Sequence, residues 1–197
     1  MDCLNYYNNT TLTGLPATIT CQFLGVDFPT HQVTCSHIFQ KKWAKSRMTI
    51  DLKEINDVKN LLLLFKPIEV AFDEGRICFL WDSAVSQFRM KVLDPAIRNK
   101  SVLDLALRQF PSYSTSNVDA ILNSTFAVLE GNPLNTSNGL PYKRCLAFHA
   151  SRARYEAIHI HKWIKAEDFI VPDDAWSPSI LETPELKSQI ELWLSRQ

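Results

Sequence analysis

The pattern of hydrophobic and polar positions predicts strands near the start of the chain. Residues 17–23 and 32–38 are rich in β-branched and aromatic side chains, which is typical of strands. Residues 27–30, including Pro29, separate the two segments and favour a turn. We therefore expect these strands to pair as a hairpin, followed by a short basic helix near residues 39–45.

The apolar residues 61–72 predict a buried segment that Pro67 divides in two. Proline fits the first turn of a helix but not its interior. We therefore expect a short extended piece before Pro67 and a helix over residues 67–74. Gly75 follows at the position where a glycine often ends a helix.

A second hairpin and a series of helices complete the pattern. Residues 76–81 and 87–93 predict the hairpin, and apolar and polar positions alternate along its second strand. Helical periodicity predicts helices at residues 102–110, 118–130, 142–165 and 185–194. We expect an α+β fold with three parts: a polar N-terminal segment, a domain that holds both hairpins, and a mostly helical C-terminal region packed on it. These parts are residues 1–16, 17–94 and 95–197.

The predicted helix at residues 142–165 has an apolar stripe and a polar face. The polar face carries His149, Arg152 and His159. We interpret this face as solvent-exposed, and His161 lies in the same part of the helix. If these side chains act, the role that we expect is contact with phosphate, above all for Arg152.

Composition and cysteine usage restrict the class of protein. The chain has 197 residues, of which 46% are hydrophobic and 21% charged, as in an ordinary globular protein. It has no apolar run near the ~20 residues of a membrane helix, and residues 1–7 lack the features of a secretory signal. Five cysteines without a C-x-x-C pair argue against a disulfide framework and against structural zinc. We expect an intracellular protein, in the cytoplasm or nucleus, that has no contact with a membrane.

The charge is balanced overall but unevenly distributed. Lys and Arg total 21, and so do Asp and Glu. Residues 31–66 and 143–165 are predominantly basic, whereas residues 167–185 are acidic. One interpretation is a local phosphate-binding face that includes Lys41, Lys42 and Lys45. The alternative is a set of solvated surfaces that are merely uneven.

Residues 36–75 combine the side chains needed for metal-assisted cleavage of a phosphodiester. Glu69 and Asp73 are four residues apart, so they project from one side of the predicted helix. Two carboxylates held together favour a hard divalent cation, Mg²⁺ or Mn²⁺ rather than Zn²⁺. A neutral His37 at the end of a strand can take a proton from an attacking water. Asn60 can orient that imidazole or complete the metal shell.

These motifs resemble the HNH endonuclease family. The elements in order are Cys21-Gln-Phe-Leu-Gly25, Ser36-His37-Ile38, Asn60-Leu-Leu-Leu-Leu64 and Glu69-x-x-Phe72-Asp73-x-Gly75-x-Ile77-x-Phe79. The resemblance covers residues 17–80 and implies the ββα-metal fold, with cleavage of nucleic acid by one divalent ion. It implies that His37 is the general base, that Asn60 is the middle residue of the family name, and that Asp73 belongs to the conserved Phe-Asp pair. DNA is the substrate that we expect rather than RNA.

The sequence departs from the family pattern at two positions. Glu69 stands where the family has its last histidine, a metal ligand. Ser36 stands where related families often have a metal-binding aspartate, so we count it with Glu69 and Asp73 as a candidate ligand. One interpretation is an active nuclease with an all-oxygen metal site, and the other is an inactive scaffold that binds nucleic acid or protein. A third makes the C-terminal helices a partner-docking, oligomeric or inhibitory element, with acidic residues 167–185 shielding the basic face.

Overall fold

A computed structural model describes residues 16–109, 119–136 and 139–172, together with Cys3, Tyr6, Ser188 and Leu192. The predicted helix at residues 185–194 and most of the acidic stretch at 167–185 lie outside the described residues, as does most of the N-terminal segment. The described residues form a mixture of helices and antiparallel strand pairs. The predicted α+β class is therefore confirmed. Within the described ranges, no helix is both long and apolar enough to cross a membrane.

The first strand pair differs from the predicted hairpin. Strand β1 (Thr18–Thr20) pairs with β2 (Asp27–Pro29), which lies in the segment predicted as a turn. The chain reverses near Gly25 rather than at the predicted turn of residues 27–30. Gly25 adopts a positive φ of 69°, which glycine tolerates without steric cost. Phe28 then pairs with Ile19 and is completely buried. The predicted pairing of residues 17–23 with 32–38 is wrong.

The central strand pair consists of β3 (Val33–His37) and β4 (Leu61–Phe65), antiparallel in register from Val33↔Phe65 to His37↔Leu61. Every residue of β4 is buried. Leu62 and Leu64 join the main core, whereas Leu61 and Leu63 pack in a second apolar cluster. Because both faces of β4 are covered, its sequence is continuously apolar rather than alternating.

Helix α1 (Lys66–Asp73) follows β4 directly, as predicted from Pro67. Gly75 ends the helix region with a positive φ of 67°. A Cβ at this glycine would lie 3.3 Å from a carboxylate oxygen of Glu156 and 3.4 Å from the Cα of Ala153, so this later segment packs closely over the turn. The predicted helix and its end are both confirmed.

The second hairpin forms as predicted. Strand β5 (Ile77–Asp82) pairs antiparallel with β6 (Gln87–Val92) over six residue pairs. Helix α6 (Lys143–Tyr155) packs against β5, and its small side chains Ala150 and Ala153 cluster with Cys78. The predicted helix at 142–165 is too long, because the chain passes into a π-helical turn at Glu156–Ile160.

Shorter helices connect these elements. A 3-10 helix over Lys41–Ile50 replaces the predicted basic helix at residues 39–45. Between β6 and α6 the described helices are α2 (Pro95–Arg98), α3 (Val102–Gln109), α4 (Asp119–Asn123) and α5 (Phe126–Leu129). The single helix predicted at 118–130 is wrong, because Thr125 bridges to Ser101 and its hydroxyl caps α5.

Candidate active site

His37 is the last residue of β3 and points its half-buried imidazole into the candidate site. Its Nε2 lies 3.0 Å from Oδ1 of Asn56. An amide oxygen only accepts, so this bond puts the ring hydrogen on Nε2 and leaves the Nδ1 lone pair to accept a proton. Burial lowers the pKa of His37, and the nearby Lys41 charge lowers it too, whereas the Asn56 bond and the Asp73 charge act in the opposite direction. The imidazole is therefore neutral at pH 7 and suited to act as a base.

Asn56 was missed by the sequence analysis. It lies in a polar loop 19 residues after His37, and its residue type is ordinary for such a loop. The contact arises only because β3 and β4 pair and bring the two ends of the intervening segment together. The spacing of His37 and Asn56 in the sequence therefore does not predict their contact.

Asn60 is buried immediately before β4 and bonds backbone groups of the segments that carry His37 and Asn56. Its Oδ1 accepts from the Phe39 amide at 2.8 Å, and its Nδ2 donates to the carbonyls of Phe39 at 3.1 Å and Ile55 at 2.8 Å. Phe39 follows His37 in the chain, and Ile55 precedes Asn56. Asn60 therefore fixes the two loops that bring the imidazole and its partner together, and it acts by positioning them.

The two carboxylates of α1 face the same region. Burial raises the pKa of Glu69 to about 7, and the Asp73 charge adds to this effect. Burial also raises the pKa of Asp73, although hydrogen bonds from Gln40 and Ser36 oppose the rise. The Ser36 hydroxyl donates to Asp73 Oδ1 at 3.3 Å. The structure thus brings Ser36, His37 and Gln40 close to Asp73, and it places Glu69 beside Asp73. Gln40 was not predicted from the sequence.

The oxygen donors of this site fit a hard cation better than zinc. No group of three or more His, Cys, Asp or Glu side chains that could hold a metal ion occurs among the described residues. Mg²⁺ needs fewer protein ligands, because it is often held by one or two carboxylates, with waters and substrate phosphates completing its shell. Glu69 and Asp73 are held half-buried with raised pKa values, and a cation beside them would favour their charged forms. The donor set therefore fits a magnesium-like ion.

Basic side chains border the carboxylates. Lys41, Lys42 and Lys45 are exposed on the 3-10 helix that follows β3. The Lys41 charge lowers the pKa of His37, and the Lys42 charge lowers that of Asp73. Lys41 and Lys42 therefore lie at the site, and Lys45 extends the same exposed surface.

Arg152 lies beneath this surface rather than in open solvent. Its side chain is 12% exposed and binds Glu156 through two nitrogens, with a shortest distance of 2.7 Å. Its guanidinium carbon lies 4.7 Å from the ring centroid of Trp43. One nitrogen, Nη1, is buried without a hydrogen-bond partner. The Arg152 charge lowers the pKa of Asp73, so this residue belongs electrostatically to the site.

The prediction that His149 lies on a solvent-exposed face of α6 is wrong. It is completely buried, stacks on Phe72 with ring centroids 3.6 Å apart, and lies 2.8 Å from the Phe72 carbonyl oxygen through Nε2. Burial lowers its pKa to about 3. The expectation was wrong because α6 packs against both β5 and the end of α1, so two of its faces are buried. His159 and His161 are exposed, as expected.

Comparison with known proteins identifies one related segment. Residues 21–80 match the family model described as HNH endonuclease. This range includes β3, β4, α1 and every residue named above between His37 and Asp73, and it confirms the resemblance seen in the sequence motifs. The chain matches none of the curated proteins and none of the solved structures with which it was compared.

Proposed function

We propose that this protein is a metal-dependent HNH-type endonuclease that hydrolyses phosphodiester bonds in DNA, with His37 as the general base. The observation that carries the proposal is the neutral imidazole of His37, held by Asn56 at 3.0 Å beside the carboxylates of α1. The match of residues 21–80 to the HNH endonuclease model supports nuclease chemistry at this position. The proposed domain holding the site is residues 17–94, with residues 95–197 packed on it.

The side chains of the site have distinct roles in this mechanism. His37 Nδ1 accepts a proton from the attacking water, while Asn56 holds Nε2 and so keeps the ring in the required tautomer and orientation. Glu69 and Asp73 hold a divalent cation, with Ser36 orienting Asp73 through its hydroxyl. When bound, such a cation supplies positive charge that stabilises the developing negative charge of the phosphate and the leaving oxygen.

The basic surface provides the contacts to the nucleic acid in this proposal. Lys41, Lys42 and Lys45 bind backbone phosphates, which positions the strand without reading its sequence. Arg152 lies beneath the surface that carries these lysines and adds positive charge there, since its buried Nη1 has no hydrogen-bond partner. Phosphate contacts of this type predict that binding weakens steeply as the salt concentration rises.

A second candidate function is a binding module that has kept the scaffold without catalysis. The presence of Glu69 where the family has its last histidine, a metal ligand, favours it. Such a module would bind DNA equally well with or without a divalent cation. The docking or inhibitory role of the C-terminal helices stays a prediction, because most of the acidic stretch lies outside the described residues.

A plasmid-nicking assay separates these two functions. Supercoiled DNA is incubated with the protein in Mg²⁺, in Mn²⁺ or in EDTA, and a single-stranded RNA of equal length serves as the alternative substrate. We expect relaxed plasmid with either cation and none in EDTA. Absence of cleavage with both cations, together with salt-sensitive DNA binding in EDTA, would support the binding module instead.

Asn56→Ala is expected to lower the nicking rate about 10-fold at pH 7, a part of the roughly 10²–10⁴-fold that a general base contributes, because the base is still present but no longer held. The Asn56 bond raises the pKa of His37, so its loss lowers that pKa further and moves the acidic limb of the pH–rate profile to lower pH. The measurement is the nicking rate from pH 5 to pH 9. Glu54→Ala, an exposed change in the same loop, should leave the profile unchanged. An unshifted profile in Asn56→Ala would show that Asn56 does not tune His37.

Wild-type protein is expected to melt about 5–10 °C higher at saturating Mn²⁺ than in EDTA, since ligand at 100 times its Kd stabilises by about 2.7 kcal/mol. This shift should be lost in Glu69→Gln. The folded-state pKa of Glu69 is raised to about 7, so its favourable contribution is fully present below the unfolded value of 4.5 and is lost as pH rises through 7. In EDTA at pH 8 the variant should therefore be no less stable than wild type.

The matched control for this measurement is Glu74→Gln. Glu74 follows the end of α1 and makes an exposed salt bridge with Arg76 at 2.7 Å. Its substitution removes one negative charge close to the site without touching the proposed ligands. A full Mn²⁺ shift in Glu69→Gln, or its loss in Glu74→Gln, would contradict the assignment of Glu69.

A further inference from the structure

The five cysteines fall into two chemical classes. Cys21, Cys78 and Cys145 are buried, and burial raises the pKa of each thiol, for Cys78 and Cys145 to about 12. Cys35 is exposed on β3 and forms a thiol–thiol hydrogen bond with Cys3. Cys3, in contrast, is buried. Cys35 is therefore the thiol of the pair that an oxidant in solution can reach.

The location of Cys3 agrees with this pairing. Cys3 is buried in the apolar cluster that contains Ile19, Leu61 and Leu63. Leu63 is the register partner of Cys35 across the β3–β4 pair. Side chains two residues apart in a strand share a face, so Cys35 and the proposed general base His37 lie on one face of this pair. Cys3 thus covers the face of the strand pair from which Cys35 and His37 project.

We propose that Cys3 and Cys35 form a reversible disulfide when the protein meets a hydroperoxide, with Cys35 as the attacking thiol and Cys3 as the resolving thiol. The Cys35 thiolate attacks one peroxide oxygen, the O–O bond breaks, and the products are a sulfenic acid and, with hydrogen peroxide as oxidant, water after proton uptake. The Cys3 thiol then attacks the Cys35 sulfur and releases a second water. Overall, two thiols and one hydrogen peroxide give one disulfide and two waters.

The physical basis is the combination of an exposed nucleophile and an adjacent second thiol. An accessible cysteine next to a second thiol that can resolve its sulfenic acid is the kind that peroxide converts to a disulfide. The other three thiols are buried and largely protonated, so they should stay reduced. The disulfide would convert a hydrogen-bonded contact between Cys3 and β3 into a covalent link beside His37. Formation of this disulfide does not require nuclease activity.

The test uses the full chain, reduced and freed of reductant, then treated with a small molar excess of hydrogen peroxide. Peptide mapping by mass spectrometry without reduction should find the Cys3 and Cys35 peptides joined, while Cys21, Cys78 and Cys145 stay as thiols. The melting temperature should rise by about 5–10 °C on oxidation, since the cross-link closes a long loop, and dithiothreitol should reverse the rise.

Variants assign the effect to this pair. Cys35→Ser, at an exposed position, and Cys3→Ser should each abolish the cross-linked peptide and the rise in melting temperature. Cys145→Ala should keep both. The proposal is overturned if peroxide converts Cys35 to a sulfinic acid while Cys3 stays a thiol. It is overturned equally if Cys35 links two chains or if neither cysteine reacts.

Discussion

His37→Ala is expected to lower the rate of metal-dependent plasmid nicking by about 10³-fold, the middle of the range for a lost general base. His37 is the imidazole that lies at the end of β3 with Asp73 and Lys41 near enough to affect its pKa. The variant should still bind DNA, because the phosphate contacts are assigned to Lys41, Lys42 and Lys45. Nicking rate and DNA affinity, measured on the same preparation, separate the loss of catalysis from a loss of binding.

The variant should fold normally. His37 is half-buried, and the bond that it loses joins it to the exposed Asn56, so stability should fall by only about 1 kcal/mol. His31→Ala is the matched control, because His31 is an exposed histidine just before β3. Added imidazole should restore part of the nicking rate in His37→Ala and have no effect on wild type. Undiminished cleavage by His37→Ala would remove this site from consideration.

The elements predicted correctly are those fixed by local chemistry. Pro67 and Gly75 define α1 by the geometry of their own backbones, and the second hairpin joins neighbouring strands through a short connection. The prediction of the first hairpin was wrong because more than one segment of the chain could pair with β3. Strand β3 pairs with β4, which lies more than 20 residues later and is apolar on both faces. Alternation within a strand carries no information about which distant strand will cover it.

The same distinction applies to the candidate site. The proximity of Glu69 and Asp73 followed from helical spacing, and the position of His37 followed from the end of a strand. Asn56 and Gln40 come from loops, and their contacts depend on tertiary packing. His149 was misjudged for a related reason, since its burial results from α6 lying against α1 and β5 at once. The catalytic and metal-binding roles of the site residues stay predictions until the variants are measured.

The sequence left open whether Glu69 belongs to an all-oxygen metal site or to a site that has been lost. The raised pKa of Glu69 bears on this question. A carboxylate with no role would gain stability by being solvated or paired with a cation of the protein. Instead Glu69 is half-buried beside Asp73, and only the Lys66 charge opposes the rise of its pKa. This arrangement is unfavourable without a cation and favourable with one. The proposed all-oxygen metal site would account for why the two carboxylates are held in this position.

Asn60→Ala is expected to destabilise the protein by about 3 kcal/mol and to lower its melting temperature by about 6–12 °C. Asn60 is completely buried. Its removal leaves the Phe39 amide and the carbonyls of Phe39 and Ile55 without the bonds that its side chain makes. Buried backbone groups without partners carry the full cost of their desolvation. Thermal unfolding measures the effect, with the exposed Asn56→Ala as the control that should change stability little.

Asn60→Asp distinguishes positioning from metal binding. Aspartate keeps the oxygen that accepts from Phe39 and loses the two donated bonds, so stability should fall again, whereas an added carboxylate in a metal shell would strengthen binding of Mn²⁺. If Asn60 only positions the two loops, the Mn²⁺-induced rise in melting temperature should survive in both variants. The nicking rate should fall in both, even well below their melting temperatures, because the loops carrying His37 and Asn56 are no longer held together. A variant of unchanged stability that lost the Mn²⁺ shift would instead make Asn60 a metal ligand.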